Sequence, residues 1–181
     1  MTDDRMIVSQ RLDLIPLTPD FYQASLQREH AKAEAVLGLT IPPEWYDEQW
    51  VMQLRLQQLR DDPSLQPWLM RAIGLRERRV MIGHVGFHSA PGPQYLDAIA
   101  PGAVEFGYTV FAAFRRRGYA REACEALMNW AHTAHRVDRF VVSIRPDNVA
   151  SRALAAQIGF AQIGSQLDEI DGVEDIYELR R

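Results

Sequence analysis

The sequence predicts an α+β domain around a mixed, mostly antiparallel sheet of about six to seven strands flanked by helices, and three observations carry that expectation. Short alternating apolar and polar segments recur between Pro, Gly and Asp punctuation, as strands require. The stretch 119–135 instead repeats its apolar residues at helical spacing. Strand-like segments at 103–110 and 139–144 flank that helix, and a crossover helix makes such a pair parallel. The chain has 181 residues, 47% hydrophobic and 24% charged, so one domain over residues 1–181 is expected.

In order, Ile7 to Ile15 alternates as a first strand, closed by Pro16 and the turn signal Thr18-Pro19-Asp20. Residues from about Phe21 to Leu37 are rich in Ala, Gln, Glu and Leu and predict a helix ended by Gly38 and Pro42-Pro43. A second helix is expected over about Asp47 to Arg60, which makes residues 20–62 a helical, acceptor-side insert. Trp68 to Leu75 and Val80 to His88 predict an antiparallel hairpin across the charged turn Arg76-Glu77-Arg78-Arg79. A loop marked by Ala90-Pro91-Gly92-Pro93 and Pro101-Gly102 leads into a strand from Ala103 to Val110. After the helix from Tyr119 to His135 come a strand, Arg139 to Ile144, and a short helix from Asn148 to Gln157, capped by Asn148 and stopped by Gly159. Phe160 to Asp168 and Val173 to Leu179 form a last hairpin about Asp171-Gly172, a dipeptide suited to positive φ.

Charge and composition narrow the function classes. A net charge of -4 argues against a general nucleic-acid binder, which needs a broad basic face. No apolar run approaches the roughly 18 residues of a membrane span, and the acidic Met1-Thr2-Asp3-Asp4-Arg5 lacks a signal peptide's apolar core. The single Cys124 forms no internal disulfide and reads as a small core residue, so a reducing, cytoplasmic setting is expected. No metal is expected either. His84 and His88 share a strand face but stand about 13 Å apart, and His132 and His135 suit the negative end of a helix.

The residues Arg115-Arg116-Arg117-Gly118-Tyr119-Ala120 lie where a strand gives way to a helix. Free N–H groups and the positive helix end then point at one spot, which makes an anion site. Gly118 permits close approach, Ala120 is small for the same reason, and the arginines add charge. Taken alone, the hexapeptide reads equally well as a flexible turn with solvated arginines.

With its neighbours, the turn resembles the GNAT family pattern Arg/Gln-x-x-Gly-x-Gly/Ala, as Arg115-x-x-Gly118-x-Ala120. Val104-Glu105-Phe106-Gly107-Tyr108-Thr109-Val110 is similar to that family's central strand, and Tyr119-Ala120-Arg121-Glu122-Ala123 to the start of its cofactor helix. Pro146-Asp147-Asn148-Val149-Ala150-Ser151-Arg152 and Ile158-Gly159-Phe160 resemble its Asn-x-x-Ser and Gly-Phe signatures, in the branch that includes ribosomal-protein N-terminal alanine and serine acetyltransferases. The strong likeness covers about residues 103–160, with a weaker one at Ser9-Gln10-Arg11-Leu12-Asp13-Leu14. Phe111-Ala112-Ala113-Phe114 departs from the polar or tryptophan-containing loop common in that branch.

The resemblance implies a GNAT-like fold whose parallel pair splays around acetyl-CoA, and transfer of the acetyl group directly to a primary amine. Val110, Arg115, Arg116, Arg117, Gly118, Tyr119, Ala120 and Asn148 would bind the cofactor, with a backbone N–H around Val110 holding the oxyanion. An acceptor amine is protonated near pH 7, with a pKa of about 8 to 10.4, so a proton acceptor is needed. Glu105 resembles the family's acidic residue in that role, set against a plain strand glutamate facing solvent or paired to an arginine. Ser151 and Tyr177 are candidate proton donors to the leaving thiolate, or a helix-turn hydroxyl and a packing residue. Asn148 serves as helix cap and pantetheine contact together. Trp45, Tyr46 and Trp50 either line an acceptor pocket or pack, and Glu44, Asp47 and Glu48 either attract a cationic amine or are solvated.

A nicotinamide dehydrogenase is rejected, since G-x-G-x-x-G is missing and Asp138 precedes a strand instead of ending one. The remaining alternative is a CoA-binding regulatory or scaffold domain without turnover. Expected partners are acetyl-CoA and an amine, without nucleic acid or membrane. A homodimer is allowed for, though no residue specifies it.

Overall fold

The computed structural model describes residues 6–168 and 172–181, and among them are eight strands and five α-helices. In chain order these are β1 (Ile7–Val8), β2 (Leu12–Pro16), α1 (Pro19–Leu26), α2 (His30–Leu37), α3 (Gln49–Asp61), β3 (Arg71–Leu75), β4 (Val80–Phe87), β5 (Val104–Val110), α4 (Tyr119–His135), β6 (Arg139–Ile144), α5 (Val149–Ile158), β7 (Ala161–Asp168) and β8 (Gly172–Arg180). The sheet order is β1-β2-β3-β4-β5-β6-β8-β7. As the crossover argument requires, β5 and β6 run parallel, Val104 opposite Phe140 and Glu105 opposite Val141. The residues group into two compact units, Met1–Gly86 with Tyr108–Leu127, and Phe87–Gly107 with Met128–Arg181.

In the first unit, two expected elements divide. The first strand becomes the β1/β2 hairpin because Ser9 turns the chain, its N–H and hydroxyl both donating to the Leu12 carbonyl, at 2.9 and 3.3 Å. This extra strand takes the count to eight. The helix expected from Phe21 to Leu37 breaks into α1 and α2 at Arg28, which sits at φ 56°. There the Arg28 N–H donates to Ser25 and the Glu29 N–H to Ala24, a Schellman closure with arginine where glycine is usual. Thr18 caps α1 by accepting from the Phe21 N–H. A 3-10 turn, Pro43–Asp47, precedes α3. The hairpin β3/β4 forms as expected but carries a bulge: Ile73 faces Gly83 and Gly74 faces Met81, leaving Ile82 as the extra residue. Leu12, Leu14, Phe21, Trp45, Met52 and Ile73 are fully buried at the centre of this unit.

In the second unit the sheet faces are set by alternation. Glu105, Val141, Ser143 and Ile176 share one face, since Glu105 pairs with Val141 and Ser143 with Ile176. Leu96, Ala100 and Ala103 from the preceding loop close over Val141 and Ile176. Phe106 points the other way and meets Phe87 and Phe160, while Trp130 of α4 stacks on Phe87. Asn148 caps α5 through its side-chain oxygen and Gly159 ends it at φ 104°, as the sequence predicts. The β7/β8 hairpin is present, but Asp171, half of its expected turn, lies outside the described residues, as do Met1 to Arg5.

Candidate active site

The turn Arg115–Ala120 joins the 3-10 turn after β5 to α4 and holds two residues of positive φ. Arg116 at φ 59° and Gly118 at φ 81° both take left-handed backbone, a conformation found in backbone turns that hold anions. Helix α4 begins at Tyr119, and a helix leaves its first N–H groups without intrahelical acceptors. Among the described residues, no hydrogen bond uses the N–H of Gly118, Tyr119 or Ala120. The positive end of α4 lies at the same place.

Side chains from the other end of the first unit brace this turn. Arg11 donates through NH1 to the Arg117 carbonyl at 3.1 Å, and its guanidinium lies 4.4 Å from the centre of the Tyr119 ring. Glu122, one turn into α4, would by itself repel an anion. It instead accepts from the Ser9 hydroxyl, the Arg11 N–H and Arg11 Nε, each at 2.7 Å. Burial alone would raise the Glu122 pKa, but those donors and the Arg11 charge outweigh it and hold the carboxyl below its usual range. Its charge is therefore answered inside the protein.

Arg115 turns back to the strand, donating from Nε to the Val110 carbonyl at 2.8 Å. The next amide, Phe111 N–H, donates to Ile82, the bulged residue of β4. Gly83 beside it could carry no side chain, because a Cβ there would land on the Thr109 carbonyl oxygen. The end of β5 is thus held by two close backbone contacts and one side-chain bond, and Phe111 N–H is already engaged beside the amide expected to face an oxyanion.

Glu105 occupies the second unit, with 8% of its side chain exposed. Ser143 donates to Oε1 at 2.6 Å, His88 Nδ1 stands 3.6 Å from Oε2, and Tyr95 adds a hydrogen bond. Burial pushes this carboxyl up, yet His88, Ser143 and Tyr95 together outweigh it and leave the pKa lowered. The group is an ionised carboxylate at neutral pH. The His88 main-chain N–H also donates to the Glu105 carbonyl at 2.9 Å, which fixes the backbone of His88 beside this position.

The two candidate hydroxyls lie at α5 and β8. Tyr177 pairs with Val142, so its side chain leaves the sheet on the face opposite Glu105, and its oxygen accepts from Arg152 Nε at 3.1 Å. Asn148 Oδ1 accepts the Ser151 N–H at 3.1 Å in the first turn of α5, the helix that carries Arg152. The structure therefore groups Asn148, Ser151 and Tyr177 through α5, and groups Glu105 with Ser143, Tyr95 and His88.

Of the helical insert, Trp45 and Tyr46 are buried packing residues: Trp45 Nε1 donates to Ser25, and its ring lies among Phe21, Tyr22 and His84. Trp50 is exposed. Glu48 stands 3.8 Å from His84, which holds its carboxyl below the usual range. Burial pushes the Cys124 thiol up, in keeping with a core residue. Among the described residues no three metal-ligating side chains stand together, and no helix is long and apolar enough to cross a membrane.

Sequence reasoning missed Arg11, Ser9 and Glu122 as braces of the turn, and Ser143, Tyr95 and His88 as partners of Glu105. Two of these carried a signal. Ser143 is a lone polar residue inside the apolar run 140–144, and Glu122 is an acid where an anion site wants none.

A family model, the acetyltransferase (GNAT) domain, matches residues 11–161. The chain is 30% identical over 80 residues to YjdG, an uncharacterized N-acetyltransferase of Bacillus subtilis, a match covering 44% of each protein. It thus spans about half the length of the curated relatives it matches. In fold it is similar to a Salmonella typhimurium acetyltransferase that modifies the N-terminal serine of a 50S ribosomal protein, with a TM-score of 0.66, 19% identity and coverage of 98% and 99% of the two chains. It is also similar to the microcin self-immunity acetyltransferase MccE, solved with acetyl-CoA and AMP, at a TM-score of 0.65, 17% identity and coverage of 99% and 98%. With most of its length inside the family model and both the turn and the parallel pair in place, the chain belongs to the GNAT acetyltransferase family.

Proposed function

We propose that the protein transfers the acetyl group of acetyl-CoA directly to a primary amine, with Glu105 supplying the basicity that removes the amine's proton. The row of unbonded N–H groups at Gly118, Tyr119 and Ala120 carries this reading. It suits a diphosphate, and MccE, an acetyltransferase of similar fold, is solved with acetyl-CoA. Arg116 and Arg117, both exposed, are the proposed source of charge for the phosphates, with Arg115 contributing from its place against the Val110 carbonyl, and Asn148 and the backbone near Val110 are proposed as further cofactor contacts. Acetyl transfer needs the amine neutral, and the ionised Glu105 beside His88 is the group we assign to draw its proton. The thiolate that leaves takes a proton from solvent or from a hydroxyl, Ser151 before Tyr177, since Arg152 already holds the latter.

Two measurements test the reading. Titration calorimetry with acetyl-CoA should show one-site binding, and absence of heat would sink it. A panel of diamines, aminoglycosides, amino-acid amides and short peptides, followed by thiol release, should then reveal the acceptor class. Binding of acetyl-CoA with no acetylated product from any of them would favour a regulatory or scaffold domain.

A further inference from the structure

Helix α3 begins beside an acid that does not cap it. Glu48 holds the N-cap position, where a side-chain oxygen can accept from first-turn N–H groups, yet it makes no such bond. It turns instead to His84 of β4, with Oε1 3.8 Å from Nε2, too far for a hydrogen bond. His84 is the closed member of the pair. Its side chain is 9% exposed against 34% for Glu48, its ring lies 6.0 Å from that of Trp45, and its buried Nε2 makes no hydrogen bond among the described residues. The imidazole thus backs the carboxylate from the protein side, and the carboxylate is the part that solvent reaches.

Charge and position complete the case. Among the described residues no lysine or arginine pairs with Glu48, whereas Glu29, Glu122, Glu125 and Glu178 each meet one. His84 holds the Glu48 carboxyl below its usual range, so the group is ionised near neutral pH. A half-buried carboxylate of this kind is best answered by a cation from outside that brings its own N–H donors. His84 follows Gly83, which packs so closely on β5 that a Cβ would meet the Thr109 oxygen and the Val110 Cα. Glu48, His84, Val110 and the N–H groups of Gly118–Ala120 all belong to the first compact unit, to which the reading above assigns the acetyl donor. The amine that is acetylated must give up its charge, so a fixed carboxylate here serves another group of the acceptor, one that stays charged.

We propose that Glu48, positioned by His84, is an acceptor-binding carboxylate that selects dicationic acceptors: it holds an ammonium or guanidinium group other than the amine that is acetylated. The inference rests on the acetyltransferase reading above and names the substrate class of that reaction. Glu48 touches the acceptor, and His84 acts only through Glu48.

The test uses the full chain with acetyl-CoA and two pairs of amines matched in length: 1,4-diaminobutane with butylamine, and alanyl-lysine amide with alanyl-norleucine amide. In at least one pair wild type should favour the dication about tenfold or more in kcat/KM, through KM, the scale of a hydrogen bond to a charged group. The pair that responds tells a small diamine from a basic peptide. Glu48→Gln should erase the preference while acetyl-CoA affinity, by calorimetry, stays within about twofold. Glu77→Gln, which removes an exposed acid of the β3/β4 turn, should keep it. His84→Gln should raise KM for the dication more than KM for its monocationic partner, a split that a general loss of packing would not give. Equal kcat/KM within about threefold in both pairs, or a preference that survives Glu48→Gln or is lost equally in Glu77→Gln, overturns the proposal. Calorimetry on the protein saturated with coenzyme A gives a readout independent of turnover. There 1,4-diaminobutane or alanyl-lysine amide should bind wild type about tenfold more tightly than Glu48→Gln, and equal affinities for both ligands also overturn the proposal. Failure of acetyl-CoA to bind wild type would remove the acetyltransferase reading itself, a separate outcome.

Discussion

The Arg115–Ala120 turn and the Glu105 pocket are built from different materials. The turn is made of main chain: two positive φ angles, a helix start and N–H groups left without acceptors. The pocket is made of side chains, with Ser143, Tyr95 and His88 brought to one carboxylate from distant points of the sequence. A backbone site tolerates change of side chain but not of conformation, and a side-chain site does the reverse. Single substitutions therefore act differently at the two places.

The largest effect is expected at the pocket. Glu105→Gln keeps the size of the side chain and an oxygen for Ser143 but removes the charge. Its kcat should fall about 10²- to 10⁴-fold, the range for losing a positioned acid or base, with acetyl-CoA affinity unchanged by calorimetry. An equal loss of cofactor binding would show that the carboxylate organises the fold and not the reaction.

Gly118→Val should act in the opposite sense. A β-branched residue at φ 81° is strained by about 1–2 kcal/mol, and its Cβ would meet the Arg11 guanidinium at 3.4 Å. Acetyl-CoA affinity should fall about tenfold or more, in line with that strain. Retained affinity would mean that the turn is not the phosphate site.

This contrast also explains what was legible in the sequence. The turn, α4, β6, the Asn148 cap and the parallel pair follow from local signals: a glycine with small neighbours, helical periodicity and a crossover. The break between α1 and α2 was hidden because Arg28 occupies the left-handed position that glycine normally marks. The partners of Glu105 were hidden for a different reason. Nothing local to Ser143 or His88 shows that β5, β6 and the residues after β4 bring them to the same carboxylate, because register joins residues 38 and 17 apart. Likewise Glu122 reads as an ordinary first-turn acid until Ser9 and Arg11 are found against it.

The bracing of the turn gives a third, smaller effect with a definite pH sign. The folded-state pKa of Glu122 is lowered, so its bonds stabilise the fold above its unfolded pKa of about 4.3, and that contribution fades as pH falls through the lower folded value. Glu122→Gln should cost about 1 kcal/mol near pH 7 and flatten the acid side of the stability curve, read as urea midpoints from pH 7 down to about 3. A wild-type curve and a variant curve that stay parallel through that range would mean that Arg11 and Ser9 do not favour the charged form.

The smallest effect is the most discriminating. Arg116 holds φ 59°, a conformation glycine adopts freely, and its side chain is exposed. Arg116→Gly therefore removes a positive charge while leaving the backbone path available. If the N–H row does most of the binding, acetyl-CoA affinity should fall by no more than about threefold, the scale of one solvent-screened charge, and the loss should shrink further at high salt. A drop as large as that of Gly118→Val would instead assign the phosphates to the arginine side chains, and the turn would then belong with the Glu105 pocket as a side-chain site.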